Sequence, residues 1–508
     1  MDELVTWFQA NGGFWDSNYI GLTTFPESGR GAPNHTLFAI PRSLTLSSRT
    51  SNLPQIFGQR AWRHFRLDKG WAGLILCMMW EDARTDSSKW SSYLSSMPTS
   101  FDTLMFWNED ELKELQGTTI VDKIGKADAE REYHEKIVPA IKVRLSNSQG
   151  LTAQTQESQS REDLFHSTLI SSHYSIDRYH IMGSCVLSRS FQVEQWDGVQ
   201  PEDKPELNHA ASDMDVDEGT QLHDTDHDLE GSEEHKDESD DDEDDTADVS
   251  MVPMADMLNA RYESENAKLF YEEKELKMVT TRAIAKGEQI WNTYGNLPNA
   301  DLLRRYGHID ILPFPGGEEG NPADVVEVLA SLVVEIVLRE GHGTDSALKE
   351  RIDWWLEEGG EDVFVIEMDH VIPDDFVSLT KLLMSSTQEW EKARDKGRPP
   401  KPKLDAQVLP ILLATLEARL RLYSSTIEVD KEIMDQVKSG SISLSLKKCQ
   451  AIMVRLAEKK ILDGAMLGLK ATGGVIANRN RDSGKRKRTS DGAGELRLTS
   501  EDAKKLRH

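Results

Sequence analysis

Apolar positions recur at helical spacing over most of this chain and alternate as strands in only a few short windows. Residues 1–17 gather Leu4, Val5, Trp7 and Phe8 on one side of a short amphipathic helix. From 19 to 46 the pattern changes to short strands and turns, with Ser28-Gly29-Arg30-Gly31 as a turn and 36–41 as a β-like run stopped by Pro41. Residues 53–170 are helical in tone. Trp71, Leu74, Ile75, Met78 and Met79 predict a buried helix over 70–80, and 108–115 and 127–141 predict amphipathic ones. A helix-to-turn segment follows over 179–191 and ends in Ser188-Arg189-Ser190-Phe191. Residues 268–272, 276–281 and 289–294 alternate as strands, separated by turns at Glu273-Lys274 and Ala285-Lys286-Gly287. Beyond Gly307 the chain reads as mainly helical. Leu409, Leu412, Leu413, Leu416, Leu420 and Tyr423 fall on one stripe, and 442–467 repeats the spacing. The apolar run 325–338 carries Glu327 and Glu335 and is too short to span a bilayer.

Composition changes this picture in one place. The formal net charge is −29, but residues 201–249 hold 22 Asp and Glu against Lys204 and Lys236, leaving −9 for the rest of the chain. That acidic insert cannot bury enough apolar surface to offset chain entropy, so 197–249 is expected to be disordered. It is either a recruiting surface for basic proteins or a tolerated solvated loop. His223-Asp224-Thr225-Asp226-His227 within it has metal-binding residue types but no fixed geometry, so no metal site is expected. Cys77, Cys185 and Cys449 lie far apart, which argues against a disulfide framework or structural zinc and for a reducing compartment. No secretory leader opens the chain. Lys485-Arg486-Lys487-Arg488 is a nuclear-import patch or simply part of a solvated basic tail.

The chemistry concentrates in Met251-Val252-Pro253-Met254-Ala255-Asp256-Met257-Leu258-Asn259-Ala260 and, 32 residues later, Asn292-Thr293-Tyr294-Gly295. In this order and spacing the pair resembles the two signature motifs of the SET domain, the protein-lysine methyltransferase fold that uses S-adenosylmethionine. The long helical stretch before Ser188–Phe191, the helical region after Gly307 and the absence of a cysteine-rich cluster resemble the Rubisco large-subunit methyltransferase-like class. Residues 251–266 and 289–308 look like those of fungal members that monomethylate a lysine of a large-subunit ribosomal protein.

The resemblance implies an α+β chain: a SET-domain β-fold with a pseudoknot, a helical insertion and a C-terminal all-α substrate-binding domain. Its parts would be 18–58 and 171–308 for the SET domain, 59–170 for the insertion, 320–470 for the substrate-binding domain and 471–508 for a basic disordered tail. It implies Tyr294 as the catalytic tyrosine and Tyr306 as a second aromatic of the lysine channel. Gly29, Gly31, Arg189, Asp256, Asn259 and the Ala260 backbone would hold S-adenosylmethionine. The expected partner is a basic protein, ribosomal or histone, in the nucleus, with no direct nucleic-acid or membrane contact. A non-catalytic module that binds basic proteins is the alternative. Many relatives carry His where this chain has Ala260, and usually have several more residues where it runs Gly31-Ala32-Pro33-Asn34-His35-Thr36-Leu37. A shortened hairpin there is expected to weaken cofactor binding.

Overall fold

The β-like run at 36–41 becomes the strand Thr36–Pro41, at the centre of a four-stranded antiparallel sheet. In the computed structural model, which describes residues 2–22, 33–149, 165, 169–194, 247–314 and 317–490, this strand lies between Phe14–Trp15 and Glu275–Thr280, and Ala267–Tyr271 closes the other edge. Ile40 opposes Leu276 and Phe38 opposes Met278; all four are buried, and the alternating burial along Glu275–Thr280 fixes the register. The N-terminal helix Asp2–Ala10 buries Leu4 and Phe8 and is shorter than the sequence pattern predicts. It stops where Asn11-Gly12-Gly13 turns the chain, with Gly12 at φ +87°, and the chain then enters the sheet at Phe14.

The described residues fall into two units. The first is drawn from Met1–Trp107 and Ile124–Asp310, the second from Asn108–Lys123 and Ile311–His508. In the first unit the helix Ala72–Ala83 is buried continuously from Ala72 to Glu81, as a helix apolar on every side must be. Its one acidic residue in that stretch, Glu81, accepts hydrogen bonds from Ser51 (3.0 Å) and Ser88 (2.7 Å). Against it packs the helix Ile176–Arg189, whose N-cap Ser175 accepts the amide of Arg178.

Residues 188–191 are not a turn. The helix ends at Arg189, and Ser190–Glu194 forms a strand paired antiparallel with Ala247–Met251. Glu194 is the register partner of Ala247, so the acidic insertion leaves and returns at paired positions. Residues 247–249, expected within the disordered stretch, are therefore in a strand, and burial of Val193 and Met251 holds the pair together. Residues 195–246, with the His223–His227 string, lie outside the described residues. The expected strand at 289–294 is likewise absent. Asn292 instead makes an isolated parallel bridge with Ala260, and the buried Asn266 anchors the segment by accepting Trp291 N–H (2.8 Å) and donating to Gln289 C=O (2.9 Å).

The second unit is mainly helical, with a short antiparallel pair, Leu312–Pro313 against Glu319–Gly320, and a longer ribbon, Val325–Leu329 against Val363–Glu367, whose inward residues Val326, Val328, Phe364 and Ile366 join its core. Residues 108–123, expected within the helical insertion, belong to this unit. Their acidic side chains find their partners far along the chain: Glu111 with Lys447, and Glu114 with Lys448 and Arg455. Gly117 sits at φ +89°, and a Cβ there would lie 2.6 Å from the Tyr423 amide nitrogen and 2.7 Å from the Leu422 carbonyl. Gly117→Ala is therefore expected to cost at least the ~1–3 kcal/mol of a non-glycine residue at that φ. A lowered thermal midpoint by circular dichroism is the check, and an unchanged one would contradict the close approach. The last helix, Leu446–Ser490, continues past 470, where a disordered tail was expected. No proline interrupts 471–490, and the Lys, Arg and Ala residues there carry helix propensity over Gly473 and Gly474.

Among the described residues no helix is long and apolar enough to cross a membrane, and no group of three His, Cys, Asp or Glu is placed to hold a metal ion.

Candidate active site

Three chain segments converge on one short turn in the first unit. Strand Ala247–Met251 runs into Val252-Pro253, Met254 takes φ +75°, and Ala255–Met257 closes a single buried 3-10 turn. A non-glycine residue in the left-handed region is strained, and such strain persists only where the surroundings hold it. The surroundings here are specific. Tyr93 O–H donates to Asp256 Oδ2 at 2.6 Å, and Arg189 Nη1, from the last turn of its helix, donates to the Asp256 carbonyl at 2.8 Å. Tyr294 O–H donates to the Leu258 carbonyl at 3.0 Å.

Burial pushes the Asp256 carboxyl up to about 6, with Arg189 and the Tyr93 hydrogen bond opposing the rise. Asp256 Oδ1 and Arg189 Nε are buried and have no hydrogen-bond partner among the described residues. Burial also pushes the Cys185 thiol up to about 12, which leaves it an inert core residue.

Tyr294 and Tyr306 are stacked, ring centroids 4.2 Å apart and planes 9° from parallel. Tyr306 ends the helix Asn299–Tyr306, which Gly307 caps at φ +74° with its N–H on the Leu303 carbonyl. Burial pushes the Tyr294 hydroxyl up to about 12, against the opposing charge of Arg189, and lifts Tyr306 further, so both remain neutral phenols. His308 lies next along the aromatic row, 6.0 Å from Tyr306, with its imidazole held below the usual value by burial. Ala260, Arg261, Tyr262, Gly295, Leu297 and Asp310 line a cleft beside Tyr294. Asp310 holds that wall by accepting the Tyr262 amide at 3.0 Å.

The structure thus brings Arg189, Asp256, Ala260, Tyr294 and Tyr306 into one constellation. The Asn259 side chain is exposed, while its carbonyl accepts Asn292 N–H at 3.0 Å. Gly29, Gly31 and Ala32 lie outside the described residues, while the rest of the shortened run is described: Asn34 takes φ +61° and donates its amide to the Thr280 carbonyl at 2.8 Å, and Thr36 opens the central strand. Sequence reading missed Tyr93 and Asn266. Tyr93 reaches Asp256 across 163 residues, and no local pattern carries that signal. Asn266 stood close enough to the motif to be suspected as a buried polar hub.

Residues 342–462 match the Rubisco LSMT substrate-binding family. Ribosomal lysine N-methyltransferase 4 of Saccharomyces cerevisiae is 30% identical over 321 residues, which is 63% of this chain but only 53%, about half, of the yeast protein. Human N-lysine methyltransferase SETD6 is 26% identical over 451 residues, covering 84% of this chain and 80% of the human one. The fold is shared with the LSMT SET domain solved with lysine and AdoHcy (TM-score 0.59, 16% identity, 94% of this chain and 92% of that one). It is shared equally with Rubisco LSMT bound to sinefungin and monomethyllysine (TM-score 0.58, 18% identity, 95% and 92%). With its two motifs, its helical C-terminal unit and these likenesses, the chain shares the fold of the LSMT SET-domain structures, carries a Rubisco LSMT substrate-binding region over 342–462, and is similar to protein-lysine N-methyltransferases over most of its length.

Proposed function

We propose that this protein is an S-adenosylmethionine-dependent protein-lysine N-methyltransferase acting in the nucleus on a basic protein, with a lysine of a large-subunit ribosomal protein as the substrate. The observation that carries the reading is the pairing of Tyr294 with the Leu258 carbonyl, beside a turn whose other side is held by Arg189. The residues suit such a cofactor. Arg189 offers a buried Nε without an acceptor, matched to a carboxylate, and the exposed Asn259 amide and the Ala260 backbone stand on the same turn. S-adenosylmethionine supplies a methyl group activated by its sulfonium charge.

The remaining task falls to the chain's own residues. A lysine amine has a reference pKa of about 10.4 and must lose its proton before its lone pair can attack the methyl carbon. Entry beside the stacked, half-buried rings of Tyr294 and Tyr306 desolvates the ammonium and favours the neutral amine. The Leu258 carbonyl and the Tyr294 oxygen, fixed to one another, present acceptors that orient the amine and hold the methyl by weak C–H···O contacts. In the transfer an N–C bond forms, the C–S bond breaks with its electrons going to sulfur, and the amine proton leaves to water.

The yeast relative's printed name supports a ribosomal substrate, and the basic string 485–488 supports the nuclear assignment. Incubating the purified protein with labelled cofactor and separate panels of large-subunit ribosomal proteins and histones tests the reading. Label on one ribosomal protein, lost when its lysine is changed to arginine, is expected. Label on a histone instead would overturn the substrate, and no label with bound cofactor would favour a binding module.

A further inference from the structure

The turn that carries the cofactor motif is not held by the SET segments alone. Tyr93 comes from the short helix Ser91–Ser95, in the stretch between the two halves of the SET sequence. Its side chain is 1% exposed, its ring stacks on Trp7 from the N-terminal helix (6.1 Å, 10°), and its hydroxyl ends on Asp256 Oδ2 at 2.6 Å. A phenylalanine would fill the same space. The hydroxyl therefore serves the hydrogen bond to Asp256 and not the packing.

Asp256 is in turn the midpoint of the turn. Its carbonyl takes the Arg189 guanidinium, and two residues later the Leu258 carbonyl takes Tyr294. Tyr93 is the one side chain that donates to this buried carboxylate among the described residues, with Oδ1 left without a geometric partner, so removing the hydroxyl takes away its main side-chain anchor. The three side chains thus fix one turn from three directions, and Tyr93 is the contribution of the insertion.

We infer that Tyr93 is a positioning residue of this site: its hydroxyl anchors Asp256, sets the turn between Met254 and Leu258, and so presents Arg189 and Tyr294 to the cofactor and the lysine. The inference rests on the methyltransferase reading above for its catalytic consequence, but not for its structural one. Besides Tyr93 itself, the titratable and charged groups facing Asp256 are Arg189 and Cys185 on the preceding helix and Tyr294 beyond the turn.

The test is Tyr93→Phe, measured with and without cofactor in the full chain. Losing one hydrogen bond to a buried charged group is expected to raise the dissociation constant for S-adenosylmethionine about 10-fold. Turnover at saturating cofactor should fall less than about 3-fold, which is a binding effect and not a chemical one.

A second readout needs no cofactor. The folded Asp256 carboxyl lies at about 6, above its unfolded value of about 3.9. Its contribution to stability is therefore full below about pH 4 and is lost as pH rises through 6. Removing the Tyr93 donor raises the folded value further, so the loss extends to higher pH. The drop in unfolding midpoint caused by Tyr93→Phe should be larger at pH 8 than at pH 5, and this pH dependence should vanish in an Asp256→Asn background.

A penalty equal at both pH values in both backgrounds, with unchanged cofactor affinity, would reduce Tyr93 to packing and overturn the inference. Failure of the unsubstituted protein to bind cofactor would sink the methyltransferase reading instead and leave the pH comparison standing as its own test.

Discussion

Tyr294→Phe is expected to keep cofactor affinity within about 2-fold and to lower turnover by about 10²-fold, the scale associated with losing a preorganised polar group at a reacting centre. The phenyl ring can preserve the stack on Tyr306, whose planes lie 9° apart, so the walls of the channel survive. The hydroxyl that meets the Leu258 carbonyl at 3.0 Å is lost, and with it the acceptor that orients the amine. Tyr294 does not act as a general base at neutral pH. Burial pushes its hydroxyl up to about 12, and the field of Arg189 offsets only part of that rise. The pH–rate profile of the unsubstituted protein should therefore show no tyrosine ionisation below about pH 10, and its acid limb should report the substrate amine. Steady-state kinetics with calorimetric cofactor titration of both proteins checks this pair of outcomes. Unchanged turnover in Tyr294→Phe would remove Tyr294 from the chemistry.

The second large effect concerns stability and lies in the C-terminal unit. Asp430 is fully buried, and its carboxylate accepts Arg455 Nε at 2.9 Å, Arg455 Nη2 at 2.8 Å, Ser425 Oγ at 2.9 Å and the Lys459 ammonium. Burial alone would raise its carboxyl, but the hydrogen bonds from Arg455 and Lys459 hold it below the ordinary value. Lys459, though paired, also sits below its usual value, because burial outweighs the attraction of the carboxylate. Asp430→Ala leaves the buried Lys459 ammonium without its carboxylate and Arg455 with Glu114 alone. Removing one partner of such a cluster costs about 3–5 kcal/mol, which for a unit of this size lowers the thermal midpoint by roughly 10 °C. Since the folded carboxyl is depressed, its stabilisation is present above about pH 4 and is lost as pH falls through the folded value. The penalty of Asp430→Ala should therefore shrink in acid. A shift under about 2 °C at pH 7 would mean that the cluster is solvated and contributes little.

How much of this was legible in the sequence depended on whether the partners are neighbours. The stretch Met251–Ala260 and the Tyr294–Gly295 step carry their signal in contiguous residues, and the long helices carry theirs in a regular apolar period. Residues 190–194 gave no strand signal, because their partner, Ala247–Met251, lies beyond the acidic insertion. The helix at 109–113 was visible, but its membership in the C-terminal unit was not, since Glu114 meets Arg455 across 341 residues. The segment 289–292 has a strand's alternation yet makes only one bridge among the described residues, because the Asn266 side chain bonds to its backbone on both sides of Ile290 beside a few main-chain bonds at Trp291 and Asn292. Tyr93 was the costliest omission. A tyrosine between serines resembles any packing residue until its hydroxyl is seen on Asp256.

The most direct test is calorimetric titration of S-adenosylmethionine into the purified full chain. Saturable one-to-one binding in the micromolar range, about −8 kcal/mol, is the expected result, and it would show that the short segment before Thr36 leaves the cofactor site intact. No detectable heat at millimolar cofactor, with the protein folded by circular dichroism, would contradict the assignment of this site to methyl transfer.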